Sequence, residues 1–101
     1  MSARDEAFAL ADDLQPFESP WHSHNKHQIF FASSGTATLT VKRARWSLPP
    51  QRAAWIEAHT PHQVSSATGV ALRTIYLATS LVPSTREPCG VFAVTPLARE
   101  M

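Results

Sequence analysis

The chain has 101 residues, 44% of them hydrophobic and 17% charged, and its formal net charge is +1 with neutral histidines. This length predicts one domain with a modest core, and the apolar fraction excludes a disordered chain. The small net charge excludes a strongly basic nucleic-acid-binding face, and no apolar run approaches the length of a membrane span.

The cysteine content indicates the redox environment in which the protein folds. Cys89 is the single cysteine, so no intrachain disulfide can form, and the N-terminus lacks a signal-peptide pattern. Both observations fit a reducing environment, and we therefore expect a cytoplasmic protein. We expect Cys89 to be a small buried hydrophobic residue and not a reactive thiol.

Short apolar runs, separated by eight prolines and three glycines, argue against long helices. Their β-branched and aromatic residues predict strands, with turn signals between them. In chain order the predicted strands are residues 8–12, 28–32, 36–43, 45–49, 52–58, 62–66, 71–78 and 89–94. This spacing predicts an antiparallel sandwich or barrel. The charges Lys42, Arg43 and Arg45 fall at a hairpin tip, where we expect solvation and not a phosphate site.

The segment 95–101, TPLAREM, predicts the start of a helix. Thr95 suits the N-cap, and Pro96 suits the first helical position. The sequence stops after about one helical turn. We therefore interpret residues 1–101 as one domain, in which residues 95–101 begin a linker or dimerisation helix. We expect the chain to be a fragment.

Three of the five histidines lie in the stretch WHSHNKHQ, which begins at Trp21. In an extended strand, residues separated by an even number of positions share a face. His22, His24 and Gln28 therefore share one face, and Phe30 continues that face into the apolar interior. His27 has the opposite parity, so we expect it to be exposed and not to be a ligand.

A second histidine-bearing segment, HTPH, ends at His62, which opens a later predicted strand. Barrel strands distant in sequence can converge their inward faces, so His62 is a candidate partner of His22, His24 and Gln28. Such a set suits a first-row divalent metal such as Zn, Ni, Mn or Fe. The alternative is a set of hydrogen-bonded polar groups without a metal. We expect His59, in the turn, to be a solvated loop residue.

The spacing of these residues is similar to the first motif of the cupin family. That motif is His-x-His, three or four residues, Glu, six residues and Gly. This chain has His22, His24, Gln28 and Gly35 at matching positions, with Gln in place of Glu. The later prolines and His62 resemble the second cupin motif, although its glycines are missing. The resemblance implies a cupin-like double-stranded β-helix, that is, an all-β jelly-roll barrel.

Several further stretches resemble the N-terminal cupin-like sensor domain of one group of AraC-type transcription regulators. They are HxHxxxQ, WxLPPQRAAWI, TPHQV, LRTIYL and TPLARE, and together they cover the chain from about Phe8 to its end. The resemblance implies a non-enzymatic, dimeric sensor that binds a small-molecule effector. It also implies a DNA-binding domain with two helix-turn-helix units, which this sequence does not contain. The implied effector-binding residues are Trp21, His22, His24, Gln28, Phe30 and His62.

Two other functions remain open on the sequence alone. One is a stand-alone metal-dependent cupin enzyme, an isomerase or oxygenase, since an open metal site suits metal-assisted chemistry. The other is an interaction domain in which the barrel is a dimerisation scaffold. An exposed apolar patch around Leu81 and Val82 would mark that alternative.

Overall fold

The structure, a computed structural model, describes residues 7–81 and 89–93. These residues form nine β-strands and no helix, which confirms the all-β prediction. The strands are β1 (Ala7–Leu14), β2 (Phe17–Glu18), β3 (His27–Gly35), β4 (Ala37–Val41), β5 (Ala44–Leu48), β6 (Arg52–Ile56), β7 (Gln63–Ser66), β8 (Val70–Leu77) and β9 (Cys89–Ala93). The predicted helix at 95–101 lies outside the described residues. The part of the chain described here contains no helix that could span a membrane.

The strands form two antiparallel sheets. The first has five strands in the order β1-β8-β3-β6-β9, and the second has four in the order β2-β7-β4-β5. Neighbouring strands in each sheet are far apart in sequence, except for the β4–β5 hairpin. This arrangement brings residues from the two ends of the chain onto one sheet, as the predicted sandwich or barrel requires.

The core lies between the two sheets and follows the period-2 pattern of the strands. Phe30 and Ala32 of β3 and Ile56 of β6, all on the first sheet, belong to one buried cluster with Leu39 of β4 on the second sheet. Phe30 is 1% exposed, and burial of a side chain of this size stabilises a fold by about 1.5–3 kcal/mol. The alternation that the sequence shows in β3 and β4 therefore identifies the inward face of both strands.

Two details of the strands differ from the sequence prediction. The predicted turn at 33–35 belongs to β3, which shifts register between Ala32 and Ser34 before it ends at Gly35. Gly35 has a φ of 77°, and a Cβ there would lie 2.5 Å from the carbonyl oxygen of Gly69, so both the conformation and the close approach require glycine. The strand β2 was not predicted, because two residues are too short to show a period.

The edge strand predicted at residues 8–12 is confirmed as β1, which is longer than predicted and pairs with β8. Phe8 pairs with Tyr76, and Leu10 pairs with Thr74, so these four side chains lie on one face of the sheet. Phe8 is 39% exposed and Leu10 is 47% exposed. At an edge of the second sheet, β2 has only two residues.

Candidate functional site

An isolated β-bridge joins the histidine-rich segment to the start of β7. The His22 N–H donates to the His62 carbonyl oxygen at 3.0 Å, and the His62 N–H donates to the His22 carbonyl oxygen at 2.9 Å. Residues directly opposite each other in an antiparallel bridge carry their side chains on the same face. The backbone therefore fixes these two imidazoles side by side.

His24 completes a cluster of three histidines. Ring centroids lie 4.4 Å apart for His22 and His62, 4.9 Å for His22 and His24, and 5.4 Å for His24 and His62. Each residue offers a ring nitrogen, and these three atoms lie within 4.8 Å of one another. The structure thus brings together the two close histidines and the remote histidine that the sequence singled out.

Backbone carbonyls orient two of the three rings. Nδ1 of His22 lies 2.8 Å from the Pro20 carbonyl oxygen, and Nδ1 of His62 lies 2.8 Å from the Thr60 carbonyl oxygen. A carbonyl can only accept, so Nδ1 carries the proton in each neutral ring and Nε2 keeps its lone pair. Nε2 of His62 is buried and has no hydrogen-bond partner among the described residues. This nitrogen is therefore free to accept a hydrogen bond or to bind a metal.

Burial favours the neutral form of two of the three histidines. Desolvation is the largest cause that lowers the pKa of His24 and of His62 below 6.5, and the neighbouring His22 lowers both further. The hydrogen bond to Thr60 acts in the opposite direction on the pKa of His62 without reversing it. His24 and His62 are thus neutral at pH 7, which is the state that metal coordination requires.

His22 and His24 line a cavity of about 180 Å³ between the sheets, which we call the barrel cavity. Its other lining residues include Gln28, Phe30, Thr74 and Tyr76. Gln28 is 7% exposed, and its Oε1 has no hydrogen-bond partner among the described residues. The barrel cavity therefore presents an unpartnered amide oxygen in addition to the imidazole nitrogens.

Tyr76 was not among the residues that the sequence selected for effector or metal binding. Its ring stacks on Phe8 at 5.0 Å and meets His24 edge-on at 5.3 Å. Burial and the nearby Asp12 carboxylate raise the pKa of its hydroxyl above 10.0, so Tyr76 remains a neutral donor. The alternation of Leu72, Thr74 and Tyr76 in LRTIYL was the signal that could have placed it on the inward face.

His27 is a correction to the sequence analysis. It has the opposite parity to the cluster, as predicted, but it is 1% exposed and not solvated. Its ring lies 5.0 Å from that of Trp55, and its Nδ1 accepts a hydrogen bond of 3.0 Å from the Ala58 N–H. The outward face of β3 is thus covered at this point by β6 and the turn that follows it. His59 is exposed in the turn, as predicted, with a φ of 68°.

Trp21 does not line the barrel cavity. It is 51% exposed and lines a separate cavity of about 660 Å³ at the tip of the β4–β5 hairpin, which we call the hairpin-end cavity. The other lining residues include Val41, Lys42, Arg43, Pro61 and Cys89. The five remaining residues selected for effector binding, Phe30 among them, lie either in the lining of the barrel cavity or in the histidine cluster.

The family follows from sequence comparison. Residues 7–98 match the family model described as the AraC-like ligand binding domain. The chain therefore belongs to this family. One relative, the HTH-type transcriptional regulator NimR of Escherichia coli, is 33% identical over 97 residues. That alignment covers 94% of this chain and 34% of NimR, so the chain spans about a third of its relative's length.

Solved structures show the same fold. An apo form of ToxT from Vibrio cholerae superposes with a TM-score of 0.73 at 8% identity, covering 94% of this chain and 44% of ToxT. A cupin-2 domain protein from Shewanella frigidimarina has a TM-score of 0.66 at 15% identity and covers 72% of each chain. The predicted cupin-like jelly-roll is thereby confirmed. Together with the family match, this makes the chain an effector-sensing domain of the AraC type.

Proposed function

We propose that the barrel cavity is the effector site of this sensing domain, and that His22, His24, His62 and Gln28 hold the effector directly or through a divalent metal. The observation that carries the proposal is the pair of buried, unpartnered acceptors, Nε2 of His62 and Oε1 of Gln28. A buried acceptor without a partner costs about 1–3 kcal/mol. A ligand that satisfies both atoms recovers that cost on binding.

The donor set suits a first-row divalent metal. Three imidazoles with ring nitrogens within 4.8 Å of one another can bind one ion, and Gln28, which lines the same cavity as His22 and His24, offers a neutral oxygen as a candidate fourth ligand. The hydrogen bonds from His22 and His62 to backbone carbonyls are the outer contacts that metal-binding histidines usually make. Because Gln28 is uncharged, the site favours Zn or Ni over harder ions such as Mn. A bound ion would supply a coordination position for a donor atom of the effector.

The lining of the barrel cavity also supports a chemical class for the effector. The described lining includes the Asp12 carboxylate but no lysine or arginine. We expect a small neutral or cationic molecule that donates hydrogen bonds, with an apolar part that extends toward Phe8 and Leu10. A free carboxylate without a metal would meet Asp12 and no cation.

The response to the effector is part of the same proposal. NimR is about three times as long as this chain, and its name describes a helix-turn-helix regulator. We propose that this domain acts as a homodimer and that the effector alters the arrangement of a DNA-binding domain. Binding can shift such an arrangement only as far as the effector distinguishes two states of the sensor. Sedimentation of the chain at high concentration tests the dimer, and a monomer would contradict it.

Calorimetric titration with Zn²⁺ and Ni²⁺ tests the metal-binding part of the site. We expect one ion per chain, and we expect His62→Ala to weaken binding at least about tenfold. His59→Asn is the matched control, because His59 is exposed and asparagine tolerates its positive φ. Equal losses in both variants, or no binding by the parent chain, would contradict a metal site and leave direct binding of an effector as the remaining form of the proposal.

A further inference from the structure

The hairpin-end cavity differs from the barrel cavity in every described lining residue. Its volume of about 660 Å³ lies in the range of small-molecule sites, which is about 300–1,000 Å³. Trp21 supplies an aromatic surface that is 51% exposed, and Val41 and Pro61 extend the apolar wall. A flat apolar ligand would therefore find a wall of matching chemistry.

The charged residues in the described lining of this cavity are all cationic. Lys42 and Arg43 are exposed at the turn between β4 and β5, and both line the cavity. Neither side chain makes an ion pair or hydrogen bond with any described residue, and none of the described lining residues is acidic. An anionic group would meet two cations that have no competing partner in the described part of the chain. A guanidinium can also hold a carboxylate through two parallel hydrogen bonds.

The Cys89 thiol in the cavity wall is not an activated nucleophile. Burial raises the pKa of the Cys89 thiol to about 11, so the sulfur is protonated at neutral pH and contributes an apolar surface. Thr40, which also lines the cavity, accepts a hydrogen bond at 3.3 Å from Nε of Arg45, which leaves Lys42 and Arg43 as the cations available to a ligand. The site is thus suited to reversible binding.

We infer that the hairpin-end cavity is a second ligand site, which takes a small aromatic anion with its ring against Trp21 and its charge beside Lys42 and Arg43. The inference is independent of the barrel cavity and of any metal bound there. An aromatic ring of the ligand can stack on the exposed indole of Trp21, and stacked aromatic pairs are more stable than the burial of their surface area alone would make them. The charge requirement separates this ligand class from the neutral or cationic effector proposed for the barrel cavity.

Benzoate is the probe, and the full 101-residue chain is the sample. We expect a saturable shift of the Trp21 indole signal in ¹H–¹⁵N spectra, with Trp46 and Trp55 as internal references. The double variant Lys42→Gln/Arg43→Gln should weaken benzoate binding at least about tenfold, since it removes both cations that line the cavity. Arg52→Gln is the matched control, because it removes an exposed cation that lines a different cavity, and it should change affinity less than about twofold.

Benzylamine, the cationic analogue, tests whether the charge decides binding, and we expect it to bind at least about tenfold more weakly than benzoate. The inference is overturned if benzoate leaves the Trp21 signal unchanged, if both probes bind equally well, or if the double variant and Arg52→Gln lose affinity equally. Shifts confined to the histidine cluster would also overturn it, because they would place benzoate in the barrel cavity.

Discussion

The barrel cavity and the hairpin-end cavity have adjacent residues of the chain in their walls, yet they have opposite chemistry. Trp21 lines the larger cavity, and His22, its neighbour, lines the smaller one. Thr60 lines the hairpin-end cavity, while its carbonyl oxygen orients the ring of His62 in the cluster. The short β-bridge between His22 and His62 therefore has a buried set of acceptors on one side and an exposed aromatic residue near two cations on the other.

The largest expected effect concerns Phe30, which lines the barrel cavity and belongs to the core. Phe30→Ala should lower the free energy of unfolding by about 3–5 kcal/mol, because it removes a buried ring and leaves a void. Phe92→Ala is the control on an exposed phenylalanine, and it should cost less than about 1 kcal/mol. Urea unfolding measures both variants. Equal losses would show that the ring of Phe30 is not buried between the sheets.

The second largest effect concerns the reactivity of Cys89 in the wall of the hairpin-end cavity. Burial raises the pKa of Cys89 from 9.0 to about 11, so at pH 8 the thiolate fraction falls about a hundredfold below that of an ordinary thiol. Iodoacetamide should therefore alkylate Cys89 about a hundredfold more slowly in the folded protein than in urea. Mass spectrometry follows the reaction. A rate equal to that of the unfolded chain would contradict the buried environment.

A smaller effect concerns the metal affinity of the barrel cavity and the residue at position 28. Gln28→Glu restores a carboxylate at the position where the cupin motif has one, and it should raise the affinity for Mn²⁺ about tenfold through the added charge. Without metal the same variant should be less stable, because a carboxylate is then buried without a cation. Gln51→Glu, at an exposed glutamine, is the matched control and should change neither quantity. Calorimetry and urea unfolding provide the two measurements.

The smallest effect is the pH dependence of the metal-free protein. His24 and His62 have pKa values lowered by burial, so the unfolded chain takes up protons first as the pH falls below about 6.5. Stability should therefore be complete above pH 7 and should decrease toward pH 5.5. Urea midpoints at several pH values measure this decrease. In His62→Ala it should be smaller, whereas in His59→Asn it should persist.

Strand parity selected the candidate residues, but its premise was wrong, because His22 lies in an isolated bridge and β3 begins only at His27, so residues 22–28 do not form one strand. His22, His24 and Gln28 were assigned to one face in this way, and the antiparallel bridge then supplied His62. Parity does not reveal what covers the opposite face. His27 was therefore expected in solvent, although Trp55 and the turn at Ala58 bury it.

Trp21 shows a second limit of sequence reasoning. Trp21 precedes His22 in the sequence, and we expected both to bind the effector. Trp21 instead lines the hairpin-end cavity, which has no described lining residue in common with the barrel cavity. Side chains of adjacent residues diverge, and which cavity each one enters depends on strands that are distant in sequence. For the same reason, the contact of Tyr76 with His24 depends on the β3–β8 register, in which Tyr76 pairs with Gln28.

The proposal that the histidine cluster binds a metal through Nε2 is tested by the protonation and chemical shifts of its ring nitrogens. Long-range ¹H–¹⁵N spectra of the metal-free chain at pH 7.5 should show His22 and His62 with the proton on Nδ1 and a bare Nε2. Addition of one equivalent of Zn²⁺ should shift the Nε2 signals of both residues and leave those of His59 unchanged. Protonated Nε2 atoms in the metal-free chain, or zinc shifts at His59 but not at the cluster, would contradict the account.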